Sequence, residues 1–141
     1  MQSITKAGHK VGAFVGFDLA HGAGNLEMYL HDWGVDFAAW CSYKYLCAGP
    51  GSPAGTFIHN IHHHWTGPRL TGWWGHNKST RFEMGPDFDP IQTAEGWQIS
   101  NAPVMGMAPL LASMEIFDEV GMAAIRPVSY THLTLPTILL V

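Results

Sequence analysis

Gly16-Phe-Asp-Leu-Ala-His21 and Trp40-Cys-Ser-Tyr-Lys44 decide how this chain of 141 residues is read. Each closes an apolar run. The first, Val11 to Phe17, is nearly continuous and holds two glycines, the pattern of a strand buried on both faces in a parallel sheet. Gly22 to Gly24 break it. Asn25 suits a helix N-cap, and Leu26, Tyr29, Leu30 and Trp33 follow at helical spacing before Gly34 ends the segment. Val35 to Cys41 is the second apolar run. Strand, helix and strand within roughly thirty residues predict a right-handed βαβ unit with parallel strands. Ligands of open α/β sheets bind beyond the carboxyl ends of the strands. Asp18 and Lys44 both fall at such ends.

An acid and a lysine placed this way suit pyridoxal phosphate (PLP) chemistry. The amine can bond the cofactor aldehyde, and the carboxylate can keep the pyridine nitrogen protonated. The lysine must be neutral to attack, which calls for a desolvated site. The chain has only four lysines. Taken singly, the same residues have plainer readings: a solvated turn lysine for Lys44, a turn or cap residue for Asp18, strand packing for Tyr43.

Composition narrows the class. Apolar residues make up 47% and charged residues 13%, the latter about half the usual quarter. Such a chain reads as one domain, or as a slice from the buried centre of a larger protein. The net charge of −4 is scattered, so no basic patch invites nucleic acid. Cys41 and Cys47 lack CxxC spacing and read as reduced thiols of a cytoplasmic protein. No stretch is apolar enough to span a membrane. Met1-Gln-Ser-Ile-Thr5 lacks the marks of a signal peptide.

Further along, Gly49-Pro-Gly-Ser-Pro-Ala-Gly55 is a turn-rich loop without P-loop spacing. Thr56 to His59 predicts a short strand, and residues 60–100 predict ordered loop rich in tryptophan. His59, His62, His63 and His64 lack Cys or Glu partners and an HExxH pattern, so they read as a loop or surface cluster, with no metal site. Apolar spacing predicts a helix over 104–124, with Pro109 kinking it or marking its first turn. Pro127 to Val141 contains no Asp, Glu, Lys or Arg and resembles one frame of a transposon-type sequencing adaptor. It is expected to be a non-native tail.

With these stretches in place, the chain resembles the kynureninase family, fold type I PLP enzymes of the aminotransferase class V group. Gly16-Phe-Asp-Leu-Ala-His21, Leu30-His-Asp-Trp-Gly-Val-Asp-Phe37, Cys41-Ser-Tyr-Lys-Tyr-Leu46, Gly72-Trp-Trp-Gly-His76, Ser79-Thr-Arg-Phe82 and Ile99-Ser-Asn101 carry the resemblance, over roughly residues 4–126. It implies an α/β fold: part of the fold type I large domain (1–126), a mostly parallel sheet with flanking helices. It implies Lys44 as the lysine that bonds PLP and Asp18 as partner of the pyridinium nitrogen, with His21 beside the cofactor. Tyr43 would hold the cofactor phosphate and assist proton transfer. Trp73 and Asn101 match positions that reach cofactor or substrate from a neighbouring subunit, and His76 lies near the substrate ring. A homodimer with shared active sites follows. The implied reaction is hydrolysis of L-kynurenine, or its 3-hydroxy form, to an anthranilate and L-alanine, in tryptophan catabolism and NAD biosynthesis.

The family's stacking aromatic and its carboxylate-binding arginine are absent from this stretch, so the chain alone is expected to be inactive. Two other readings remain. One is another class V lyase, such as a cysteine desulfurase, although those tend to place histidine where this chain has Tyr43. The other is a non-catalytic α/β binding module.

Overall fold

A computed structural model describes the backbone of residues 1–138 and the side chains through Thr131. Three strands, β1 (Gly16–Asp18), β2 (Phe37–Trp40) and β3 (Gly55–Ile58), form one sheet in the order β1-β2-β3. The Asp36 amide donates to the Val15 carbonyl and the Leu19 amide to Ala39, so β1 and β2 run parallel. The His59 amide donates to Asp36, and the Ser42 hydroxyl to Pro53, so β3 runs antiparallel to β2. The sheet is mixed. The helices are α1 (Gln2–Lys10), α2 (Val104–Val120) and α3 (Met122–Ile138).

The first strand is shorter than its apolar run and is not buried on both faces. The amides of Val11, Gly12 and Ala13 close the end of α1 by donating to Gly8 and His9, and Gly12 turns the chain at φ +74°. Those residues are spent on ending a helix. Helix α1 itself escapes a periodicity argument, because it buries only Thr5.

The helix expected over 25–33 is absent. Two turns replace it, at Leu19–Leu26 and Leu30–Val35. Gly24 and Gly34, at φ +77° and +69°, bound the segment, and the amides beside them close local turns in place of a continuous helical ladder. Helix α2 runs through Pro109 and stops at Gly121, where φ is +76°, so the helix ends before the expected residue 124. The expected tail from Pro127 falls largely in α3, and its last three residues lie outside the described residues.

The chain divides into two compact units. The first comprises Met1–Phe17, Leu30–Ala38 and Thr56–Ala102, and the second Asp18–Tyr29, Ala39–Gly55 and the chain from Pro103 on. In the first, Val35, Ala38 and Thr5 are buried. In the second, Leu19, Ala23, Leu46 and Ala48 are.

The first unit also buries a charge. Asp36 Oδ2 accepts from the Val15 amide at 2.6 Å and meets His9 Nε2 at 2.8 Å, while Oδ1 meets His62 Nε2 at 2.7 Å. Burial alone raises the pKa of a carboxyl group. The Val15 amide and the two imidazoles outweigh that and hold Asp36 below its ordinary value. The histidine cluster is therefore only partly surface. His59 is buried and stacks on His31 at 4.6 Å, and His62 is half-buried on Asp36.

Candidate active site

Four of the sequence-derived site residues, Asp18, His21, Tyr43 and Lys44, lie in the second unit, on segments that follow β1 and β2. Asp18 is the last residue of β1, and its Oδ1 accepts from the Ala20 amide at 2.9 Å. That bond turns the chain directly after the strand and sets His21 on the turn. Beyond β2, the buried Ser42 hydroxyl donates to the Pro53 carbonyl at 2.6 Å, and the Ala48 amide donates back to Ser42. The Lys44–Cys47 turn is closed by the Cys47 amide on the Lys44 carbonyl, with Cys47 at φ +55°.

The two turns meet where Gly24 packs on the main chain of Tyr45. A Cβ at Gly24 would lie 2.7 Å from the Tyr45 carbonyl, so only glycine allows the approach. On this frame Lys44 Nζ comes to 3.3 Å from His21 Nε2 and 5.9 Å from the centre of the Tyr43 ring.

Asp18, His21 and Tyr43 are exposed and Lys44 is half-buried. The described residues thus desolvate Lys44 less than the sequence argument required. A cavity of about 660 Å³ in the same unit is lined by Ala23, Trp40, Leu46, Leu110, Met114 and Phe117, among others, and by none of the four candidates. The donor set nonetheless suits PLP: an amine for its aldehyde, a carboxylate for its ring nitrogen, an imidazole and a phenol beside them.

Trp73, His76 and Asn101 lie in the first unit. Trp73 and His76 flank a short 3-10 turn, Trp73–Gly75. The Trp74 amide donates to Ile99 at 3.4 Å, which brings the segment leading to Asn101 alongside. Asn101 Oδ1 accepts from the Ser100 hydroxyl at 3.2 Å. The Asp89 amide donates to His76 Nδ1 at 3.4 Å, which leaves the ring proton on Nε2, 3.2 Å from Thr80 Oγ1. The neighbouring motifs around Trp73 and Arg81 thus meet the more distant one around Ile99 in one unit.

Arg81, within Ser79-Thr-Arg-Phe82, has no role assigned from the sequence. Its guanidinium is buried, and Nη2 donates to the carbonyls of Trp74 at 2.6 Å and His76 at 3.0 Å. An arginine among aromatic residues was the available signal. Arg69 is the parallel case, lying over Trp97 at 4.2 Å and Phe88 at 5.4 Å, with burial lowering its pKa.

Comparison with known proteins bears on these residues. The chain is 62% identical over 126 residues to a kynureninase of Christiangramia forsetii, covering 89% of this chain and 30% of that protein. The chain matches a segment of kynureninase. The kynureninase of Flavobacterium psychrophilum is 62% identical over 122 residues (86% and 29%), and that of Myxococcus xanthus 61% over 127 residues (89% and 30%). The chain thus spans about three tenths of the length of these kynureninases. No family model matches it. Among solved structures, the apo form of a cysteine desulfurase from Thermococcus onnurineus superposes with a TM-score of 0.61 at 21% identity, covering 86% of this chain and 29% of that one. This likeness shows the fold: the α/β fold of fold type I enzymes.

Proposed function

We propose that the protein of which this chain is part hydrolyses L-kynurenine, or 3-hydroxy-L-kynurenine, to anthranilate or 3-hydroxyanthranilate and L-alanine, with PLP as cofactor. It would serve tryptophan catabolism and NAD biosynthesis as a cytoplasmic homodimer with shared sites. Among the described residues no helix is long and apolar enough to cross a membrane. The observation that carries the reading is the match to kynureninase over 126 residues. In a chain of 141 residues, such a stretch takes in the segment holding Asp18, Lys44, Trp73 and Asn101.

PLP, when bound, supplies an electron sink for cleavage beside the amino acid's α-carbon. The chain's own residues do the rest. Lys44 Nζ is the atom to attach the cofactor and then to carry the substrate's α-proton. His21 Nε2, at 3.3 Å, is placed to share a proton with it. Asp18, with Oδ1 held by the Ala20 amide, offers its carboxylate to the ring nitrogen. Tyr43, beside Lys44, would hold the phosphate and would be the acid for the alanine carbon. Trp73, His76 and Asn101 would bound the ring end of the substrate.

The test is the absorbance of the full-length parent with PLP, before and after L-kynurenine. A cofactor band shifted by covalent attachment and absent in Lys44→Ala, with anthranilate released, supports the reading. A band without anthranilate moves the assignment to another class V lyase. No band removes PLP from the account.

A further inference from the structure

We infer that Arg81 is a positioning residue for the ring end of the site, holding Trp73 and His76 in place. This rests on the proposed kynureninase reading, in which those two residues approach cofactor and substrate. The element that carries them is weak on its own. Trp73–Gly75 is a single 3-10 turn, too short to sustain itself and with carbonyls that find no partner inside it. The Trp73 carbonyl is taken by the His76 amide at 3.3 Å. The carbonyls of Trp74 and His76 are both taken by Arg81 Nη2, at 2.6 and 3.0 Å.

The lock is reciprocal. Trp73 Nε1 donates to the Arg81 carbonyl at 2.9 Å, so the Trp73 ring holds the Arg81 main chain while the Arg81 side chain holds the main chain of Trp74 and His76. The guanidinium carbon sits within cation–π range of both indoles, with Cζ 5.3 Å from the Trp73 ring centre and 5.0 Å from that of Trp74. Phe82 meets the Trp73 ring edge-on at 5.2 Å. Trp73 is nevertheless 44% exposed. Large exposed aromatics ordinarily move; this one is gripped along one side and presents the rest of its ring outward, as a ligand-facing residue must. A lysine can donate to the two carbonyls, but its compact, strongly hydrated ammonium suits a buried place beside two indoles less well than a guanidinium does.

The test uses the full-length parent carrying Arg81→Met, Arg81→Lys, Trp73→Phe and the Arg81→Met/Trp73→Phe pair. PLP affinity is read by equilibrium dialysis, KM and kcat for L-kynurenine by anthranilate release, and folding by thermal unfolding. Arg81→Met is expected to weaken PLP binding or raise KM about tenfold, and Arg81→Lys about threefold. In the Trp73→Phe background, Arg81→Met is expected to add less than about twofold, because the residue it acts through is already altered. An equal loss in both backgrounds means a merely structural role and overturns the inference, as does wild-type affinity and KM in Arg81→Met. If Arg81→Met does not fold, the comparison is made with Arg81→Lys, alone and paired with Trp73→Phe, under the same criterion. A wild-type parent that takes up no PLP overturns the reading and the inference together, and is distinct from a PLP-binding parent indifferent to Arg81.

Discussion

Asp36 is the clearest case of a single side chain whose environment sets its chemistry. A buried carboxylate facing two imidazoles and an amide is stabilising only while it is ionised and paired. Its pKa is held below the ordinary 3.8. A depressed folded value adds stability that is fully present above the unfolded pKa and is lost as pH falls through the folded one. The urea midpoint of the parent is expected to drop on acidification below about pH 4, and Asp36→Asn to flatten that part of the profile while costing about 3 kcal/mol at neutral pH. A profile unchanged by Asp36→Asn would count against the pairing. Cys47 is the opposite case. Its φ of +55° costs a residue with a Cβ about 1 kcal/mol. Asn tolerates this region, so Cys47→Asn is expected to raise the melting temperature or leave it unchanged, never to lower it by several degrees.

Among elements, the turns rather than the strands place the candidate catalytic groups. Gly24 has both a positive φ and a Tyr45 carbonyl 2.7 Å from where its Cβ would stand, whereas Gly51 has a φ of +81° with open space around it. Gly51→Ala is therefore expected to cost about 1–2 kcal/mol from backbone conformation alone. Gly24→Ala is expected to cost clearly more in denaturant unfolding and also to weaken PLP binding, because it pushes the His21 turn off the Lys44 turn. Equal costs for the two substitutions would show that the close approach has no energetic weight. Over 25–33 the apolar spacing of Leu26, Tyr29, Leu30 and Trp33 is helical, but the backbone bonds there close separate turns, Asn25 and Leu26 onto Gly22 and Val35 onto Leu30, in place of one ladder. Periodicity reports which side chains avoid water, not whether the backbone between them is continuous.

At the scale of the whole molecule, composition and exposure agree. Charged residues are few, and α2 buries none of its residues, with Val104, Met105, Leu111 and Ile116 all exposed. Apolar surface gathered on one helix favours association. The 141-residue chain is expected to bind a hydrophobic dye and to sediment as more than a monomer, and Met105→Glu with Leu111→Glu to reduce both. Monomeric sedimentation at micromolar concentration with no dye uptake would refute this.

Residue identities in order along the chain were enough for the α/β class and for the parallel pairing of the first two strands, and they named Asp18, His21, Tyr43 and Lys44 as candidates, of which the structure brings Lys44 beside His21 and Tyr43. Strand-end position and side-chain chemistry are local properties, so they are written in local sequence. The antiparallel third strand, the Asp36 clamp, the Arg81 lock and the Gly24 approach were decided only by the tertiary structure. The Arg81 lock spans only residues 73–81 and depends on how the chain turns there; the others each join segments distant along the chain, as His9 and His62 join at Asp36, and such a contact leaves no period or motif in either segment alone. Its energy exists only once the intervening chain has closed the loop between them.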